Sequence, residues 1–298
     1  MKVAVTGASG LIGSALVPAL RARGHEVVRL VRRTPAAADE VRWDPAAGTV
    51  DLAGLAGVEG IIHLAGAGVG DKRWTDEYKR EIRSSRVDGT RTIAEAAASL
   101  SPRPQVLVSG SAIGYYGDTG DRAVTESAPA GRGFLADVVV DWEAAAQPAR
   151  DAGIRVPLAR TGLVVSSRGG AWKRLLPIFK LGLGGKVGSG KQYWSFISLD
   201  DEVSALIALL EDGSYDGPVN LTAPTPVTNA EVTAAMGRVL GRPPVLPVPA
   251  FALTVALGEF SEDVLGSQRV LPAELQDHGF TWRDASIDSA IRAAVQGD

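Results

Sequence analysis

The chain has 298 residues, 45% of them hydrophobic and 22% charged, with a formal net charge of −3. That length and balance suit a large buried core rather than a disordered chain, and a near-neutral charge without a long basic run argues against a nucleic-acid partner. The absence of cysteine excludes disulfides, thiolate catalysis and Cys-ligated metals.

Met1-Lys2 leads into Val3-Ala4-Val5 and a Gly-rich turn, a run too short for a signal-peptide core. The most apolar later stretch, 250–257, is too short to span a bilayer. A cytoplasmic protein with no membrane partner is expected. In chain order, the patterns predict a strand over 2–5, a helix over 11–23 stopped by Gly24, and a strand over 27–31. Strands over 60–64 and 105–109 follow, with a helix over 85–100 between them. A helix over 134–150 then precedes a strand over 154–159. These strands are continuous apolar runs, as expected when helices cover both faces of a parallel sheet. The fold class predicted is α/β, a doubly wound parallel Rossmann sheet.

Past about residue 168 the rhythm changes. Residues 166–190 are rich in Gly and Lys, a helix is expected over 203–211, and 217–221 has the makings of another strand. Thr228-Asn229-Ala230-Glu231 reads as a capping box opening a helix over 230–240. Residues 241–249 hold four prolines and predict an extended connection. The remainder reads as helical and amphipathic.

Thr6-Gly7-Ala8-Ser9-Gly10-Leu11-Ile12-Gly13 follows the first strand and opens the first helix. Its Gly-x-x-Gly-x-x-Gly spacing lets the backbone turn tightly and approach a pyrophosphate, while the helix start supplies free N–H groups. An acid ending the second strand would bind the ribose hydroxyls of NAD; here that strand ends in Arg32-Arg33. Two permanently charged guanidinium groups suit a 2′-phosphate, so NADP(H) is predicted, the plain alternative being a solvated basic strand end. The division expected is an NADP(H)-binding domain over 1–168 with 196–222. A smaller, mostly helical substrate-side unit takes 169–195 with 223–298.

Gly185-Lys186-Val187-Gly188-Ser189-Gly190-Lys191 matches the start of a P-loop, but Gln192 replaces the metal-binding hydroxyl and a strand follows instead of a helix. His25, His63 and His278 are scattered and form no metal set, and His63 reads as packed.

Further motifs carry a family likeness. His63-Leu64-Ala65-Gly66-Ala67, Ser109-Gly110-Ser111 before Tyr116-Gly117, and the segment from Trp194 through Ile197 to Asp201 resemble the extended short-chain dehydrogenases/reductases. Trp43-Asp44-Pro45, Tyr115-Tyr116-Gly117, Asp141-Trp142-Glu143 and Gly266-Ser267-Gln268-Arg269 resemble their atypical branch, the epimerase family proteins. The likeness spans essentially the whole chain. It implies that Gly7, Ser9, Gly10, Leu11 and Ile12 hold pyrophosphate and that Arg32 and Arg33 hold the 2′-phosphate. It also implies that Leu64, Ala65 and Gly66 pass the ribose and that Ser109 and Gly110 approach the nicotinamide side.

In ordinary members of that family a Tyr and a Lys on one helix work with a Ser: Ser orients the substrate oxygen, Tyr transfers the proton, and Lys lowers the Tyr pKa. Ser111 stands where that Ser belongs. The Tyr position falls on Leu135 and the Lys position on Val139. No register rescues the pair, because no Tyr lies between Tyr116 and Tyr193 and no Lys between Lys79 and Lys173. Ser111 with Tyr115 or Tyr116 is the catalytic set considered; Asp137, Asp141 and Glu143 offer replacement carboxylates on the nearby helix, the favoured plain reading being a solvated helix face. The expectation is an NADP(H)-dependent oxidoreductase or epimerase-like enzyme with a non-standard site. Its substrate would be a small carbonyl, hydroxyl or nucleotide-sugar compound, and the protein a monomer or homodimer. The alternative is an NADP(H) sensor or carrier without chemistry.

Overall fold

The computed structural model describes residues 1–244 and 246–297; Val245, in the expected extended connection, and Asp298 lie outside the described residues. The first half alternates as expected: β1 Lys2–Thr6, α1 Leu11–Ala22, β2 Glu26–Val31, β3 Glu40–Asp44, β4 Thr49–Val50, β5 Gly60–His63, α2 Asp76–Ser99, β6 Val106–Ala112, α3 Phe134–Ala144, α4 Gln147–Asp151 and β7 Pro157–Thr161. Then come β8 Leu163–Val165, α5 Gly170–Lys180, β9 Tyr193–Trp194, β10 Phe196–Ser198, α6 Leu199–Glu211, β11 Gly217–Leu221 and β12 Val227–Thr228. Four further helices, after α7 Asn229–Leu240, are α8 Ala250–Leu257, α9 Phe260–Leu265, α10 Ala273–Asp277 and α11 Ile287–Gln296.

The main sheet has the order β11-β7-β6-β5-β1-β2-β3-β4, with β4 antiparallel at one edge and the other neighbours parallel. The strands step outward from β1 through β2 and β3, then resume on its other side at β5. That reversal opens a crevice at the carboxyl ends of β1 and β5, where open α/β sheets bind ligands. Alternate strand residues serve opposite faces. Val3, Val5, Ile62 and Val108 pack under Leu16 and Leu20 of α1 and Leu206 and Leu209 of α6. Ala4, Ile61, Leu107 and Leu158 pack under Ile93 and Ala97 of α2 and Ala149 of α4. Double coverage is the reason these strands are apolar throughout. A third cluster joins Trp172 and Phe179 of α5, Val232 and Met236 of α7, and Ile287 and Ile291 of α11.

Several boundaries differ from expectation. The helix expected from 85 starts at Asp76, where the Thr75 hydroxyl accepts from the Tyr78 N–H; its polar opening turns hide the apolar periodicity. The helix expected over 134–150 is two helices, because Pro148 lacks an N–H and begins a new one after Ala144. The strand expected over 105–109 runs on to Ala112, which brings Ser111 into the sheet opposite Arg160. The capping box at Thr228 and Glu231 forms as expected. α8 departs from the amphipathic expectation: it is apolar around its whole circumference and buries no residue. Among the described residues no helix is long and apolar enough to cross a membrane, and no metal-holding cluster of His, Asp and Glu is found.

Candidate active site

The glycine turn is fixed by contacts that a side chain would break. Gly7 has φ +69°, and a Cβ there would lie 2.9 Å from the Leu64 carbonyl carbon. A Cβ on Gly13 would lie 2.2 Å from the Gly7 oxygen, so helix and turn touch through bare backbone. The first turn of α1 carries no acidic residue and no side-chain cap, leaving its N–H groups free for an anion.

Thr6 sets the opposite wall. Its hydroxyl accepts the N–H groups of Leu64 at 3.0 Å and Ala65 at 3.2 Å, so its own proton points to His63 Nδ1 at 2.8 Å. The imidazole proton then sits on Nε2, buried and without a partner among the described residues. Burial pushes the His63 pKa down to about 4, which keeps the ring neutral and makes it framework.

The two arginines at the end of β2 part company. Arg33 forks onto the buried Glu40 at 2.8 and 2.6 Å and holds that carboxyl below its usual range. Arg32 is exposed and makes no hydrogen bond or ion pair among the described residues. A further cation escaped the sequence reading. Arg86 of α2 donates to the Ala67 carbonyl at 2.9 Å, lies 5.1 Å over the Trp142 ring and borders Gly66. Burial pushes its pKa down to about 10. A mid-helix arginine carries no sequence signal that separates it from a solvated face.

The β6–β7 end is built from side chains. Ser111 Oγ donates to Glu143 Oε1 at 2.6 Å, and Arg160 donates to both Glu143 oxygens at 2.8 Å. Glu143, expected on a solvated face, is 8% exposed because α3 turns it onto the sheet against Arg160. Burial opposes the Arg160 charge, but the hydrogen bonds and charge of Glu143 more than offset it, and its pKa rises. Asp141 pairs with Arg83, and Asp137 is exposed.

Tyr116 is 2% exposed; its hydroxyl donates to Asn220 Oδ1 at 2.7 Å and accepts from Arg160 at 2.9 Å. Burial first, offset partly by Arg160 and Asn220, pushes that phenol up to about 12. Such an enclosed, fully bonded hydroxyl is unsuited to the catalytic place expected for Tyr116. Tyr115 differs. Its ring lies 3.5 Å from the Arg160 guanidinium, and its hydroxyl has no hydrogen bond among the described residues. Leu135 and Val139 face Gly114, approaching a Cβ built there to 3.7 and 4.0 Å, so apolar groups line the helix face where a proton relay would stand.

Beside this end is a cavity of about 240 Å³, between the start of α2, the loop after β6, the start of α3 and α9. Trp74 and Phe134 line it with aromatic rings, and Asp118, Glu259, Glu262, Asp263 and Arg132 supply its charged lining. Burial, then the charges of Glu262 and Glu259, push Asp263 up to about 6.

Residues 3–221 match the model of the NAD dependent epimerase/dehydratase family. The chain belongs to that family. Residues 248–294 also match a domain of unknown function that contains α8, α9, α10 and most of α11. Among relatives of this epimerase/dehydratase chain, an epimerase family protein of Mycobacterium leprae is 45% identical over 98% of this chain and 95% of its own. An Arabidopsis thaliana relative, 37% identical over 99% of this chain and 87% of its own, is named chloroplastic. Family membership therefore does not carry the cytoplasmic location expected from sequence. The crystal structure of human epimerase family protein SDR39U1 with NADPH superposes with a TM-score of 0.92 at 30% identity, covering 99% of both chains. A nucleoside-diphosphate sugar epimerase of Corynebacterium glutamicum gives a TM-score of 0.83 at 37% identity, with this chain covering 58% of it.

Proposed function

We propose that the chain is an NADP(H)-dependent oxidoreductase acting on a small carbonyl or hydroxyl compound, with Tyr115 as its proton carrier. One observation supports Tyr115: it is the phenol at the β6 end whose hydroxyl has no protein partner among the described residues, and it stacks on a permanent cation. The neighbouring polar groups are committed elsewhere, Ser111 to Glu143 and Tyr116 to Asn220.

The residues present fit the dinucleotide. The bare turn and uncapped start of α1 leave Gly7, Ser9, Gly10, Leu11 and Ile12 for pyrophosphate. Arg32 takes the 2′-phosphate, with Arg33 held beside it by Glu40. Leu64, Ala65 and Gly66, bordered by Arg86, pass the ribose, and Ser109 and Gly110 face the nicotinamide side. When bound, the dinucleotide supplies or accepts hydride. The Ser111 hydroxyl donates its hydrogen bond to the Glu143 carboxylate, so toward substrate it accepts a hydrogen bond and orients a hydroxyl. The substrate sits between the nucleotide-binding part, 1–168 with 196–222, and the smaller part, 169–195 with 223–298. Four carboxylates in the cavity wall favour an uncharged or cationic compound over a nucleotide diphosphate.

The test is deuteride transfer from labelled NADPH to a mixed pool of aldehydes, ketones, amino-carbonyl compounds and nucleotide-sugars, read by mass spectrometry. Labelled product is expected, falling about 10²-fold in Tyr115→Phe with NADPH affinity unchanged. Full labelling by Tyr115→Phe would remove Tyr115 from the mechanism. Tight NADPH binding with no labelled product would favour the second reading, a sensor or carrier, which the apolar Leu135 and Val139 support.

A further inference from the structure

Among the described residues eight large hydrophobic side chains are exposed, and six of them belong to one region: Ile178, Leu181, Leu183, Leu246, Phe251 and Val255. The region is continuous. Leu183 N–H bonds the Ile178 carbonyl at the end of α5, and Leu246 N–H bonds the Gly184 carbonyl. Val248 N–H bonds Lys186, Gly188 N–H bonds Val248, and α8 starts two residues later. Leu181 is 74% exposed, and Phe251 and Val255, one helical turn apart, are 72% and 71% exposed. These side chains protrude; they do not line a groove.

The segments themselves carry only positive charge, with Asp71 beside Arg174 of α5 and Glu259 just after α8. No Asp or Glu occurs from 152 to 199 or from 232 to 258, although the whole chain is net negative. Lys173, Lys180 and Lys186 are exposed on the α5 side and make no ion pair or hydrogen bond among the described residues. Protruding apolar side chains flanked on the α5 side by free lysines are the pattern of a surface that lies on anionic lipid, with apolar tips in the acyl boundary and ammonium groups among the headgroups.

We propose that the face formed by the end of α5, the 181–188 segment, the 246–250 segment and α8 docks on an anionic lipid surface. A second copy of the chain fits it less well, because a two-fold contact through the same patch would bring its lysines together. The sequence holds no spanning run, and a surface-lying face needs none. α8 leads through Gly258 into α9, so the docked face lies one helix away from the cavity.

The test is flotation of the full chain with vesicles of phosphatidylcholine alone or mixed with phosphatidylglycerol. The chain is expected to float with the anionic vesicles, remain free of the neutral ones and be released by salt. Leu181→Ser with Phe251→Ser, and separately Lys180→Glu with Lys186→Glu, are each expected to lower the bound fraction at least about tenfold, with Tm and NADPH affinity unchanged. The proposal is overturned if wild type floats with neither vesicle, as for a face that meets a soluble protein. It is equally overturned if both double variants float as wild type does, or if wild type is a dimer that Phe251→Ser dissociates.

Discussion

At the β1–β5 end of the sheet edge, the close contacts are made by backbone: Gly7 against Leu64, Gly13 against Gly7, and two N–H groups on Thr6. At the β6–β7 end they are made by buried side chains that Ser111, Tyr116, Glu143, Arg160 and Asn220 bring from four places in the chain. The first end is a shape that admits a ligand. The second is a charge network already closed upon itself, with Tyr115 at its margin. A ligand-shaped crevice and a closed side-chain network can therefore share a sheet edge, and the residue types alone do not separate them.

Variants at the two ends should fail differently. Arg160→Met leaves Glu143 buried without its cation and should cost about 3–5 kcal/mol in urea unfolding. Glu143→Met with Arg160→Met should lose less, because no charge is stranded; an equal loss would mean that the network is not a matched pair. Gly13→Ala forces a Cβ onto the Gly7 oxygen and should cost about 3 kcal/mol and abolish NADPH binding, both readable in one thermal-shift titration. If Gly13→Ala bound NADPH normally, the backbone account of that end would fail.

Arg32→Ala should weaken NADPH by about 1.5–3 kcal/mol and leave NADH unchanged in a fluorescence titration. Arg33→Ala should do less, since its guanidinium already serves Glu40. Equal losses of NADPH and NADH would remove the phosphate assignment. The smallest effect concerns Glu202, buried in the first turn of α6, one oxygen bonded by Thr161 and the other without a partner among the described residues. Burial raises its pKa from 4.5 to about 8. Between those values the unfolded chain is ionised there while the folded chain holds the proton, so stability falls as pH rises through that window and levels off above about 8. Glu202→Gln should remove that fall, gaining on the order of 1–2 kcal/mol over wild type at pH 8. A pH-independent difference would place the effect outside titration.

The glycine turn was legible because glycine spacing is a local signal with a backbone cause, and the parallel sheet was legible from its apolar runs. Arg33 shows the limit: a strand-end arginine looks the same in sequence whether it waits for phosphate or grips Glu40. The β6–β7 end was read through Ser111 and the two tyrosines, but the partners that settle their roles are remote. Asn220 meets Tyr116 across 104 positions, and Glu143 read as solvated because helix periodicity does not reveal a cation on β7. The missing Tyr and Lys were legible by elimination, and Leu135 and Val139 do face Gly114.

The Asn220 amide that holds Tyr116 is itself held from further along: its Nδ2 donates to the Leu271 carbonyl, 51 positions later. Glu126 likewise waits for the N–H groups of Ala273 and Glu274. On a ribosome, the glycine turn and its parallel strands emerge long before that closing segment. A nascent chain thus completes its nucleotide crevice early and seals the Tyr116 network only once Leu271 has emerged. A chain halted short of Leu271 would carry the crevice with that seal still open.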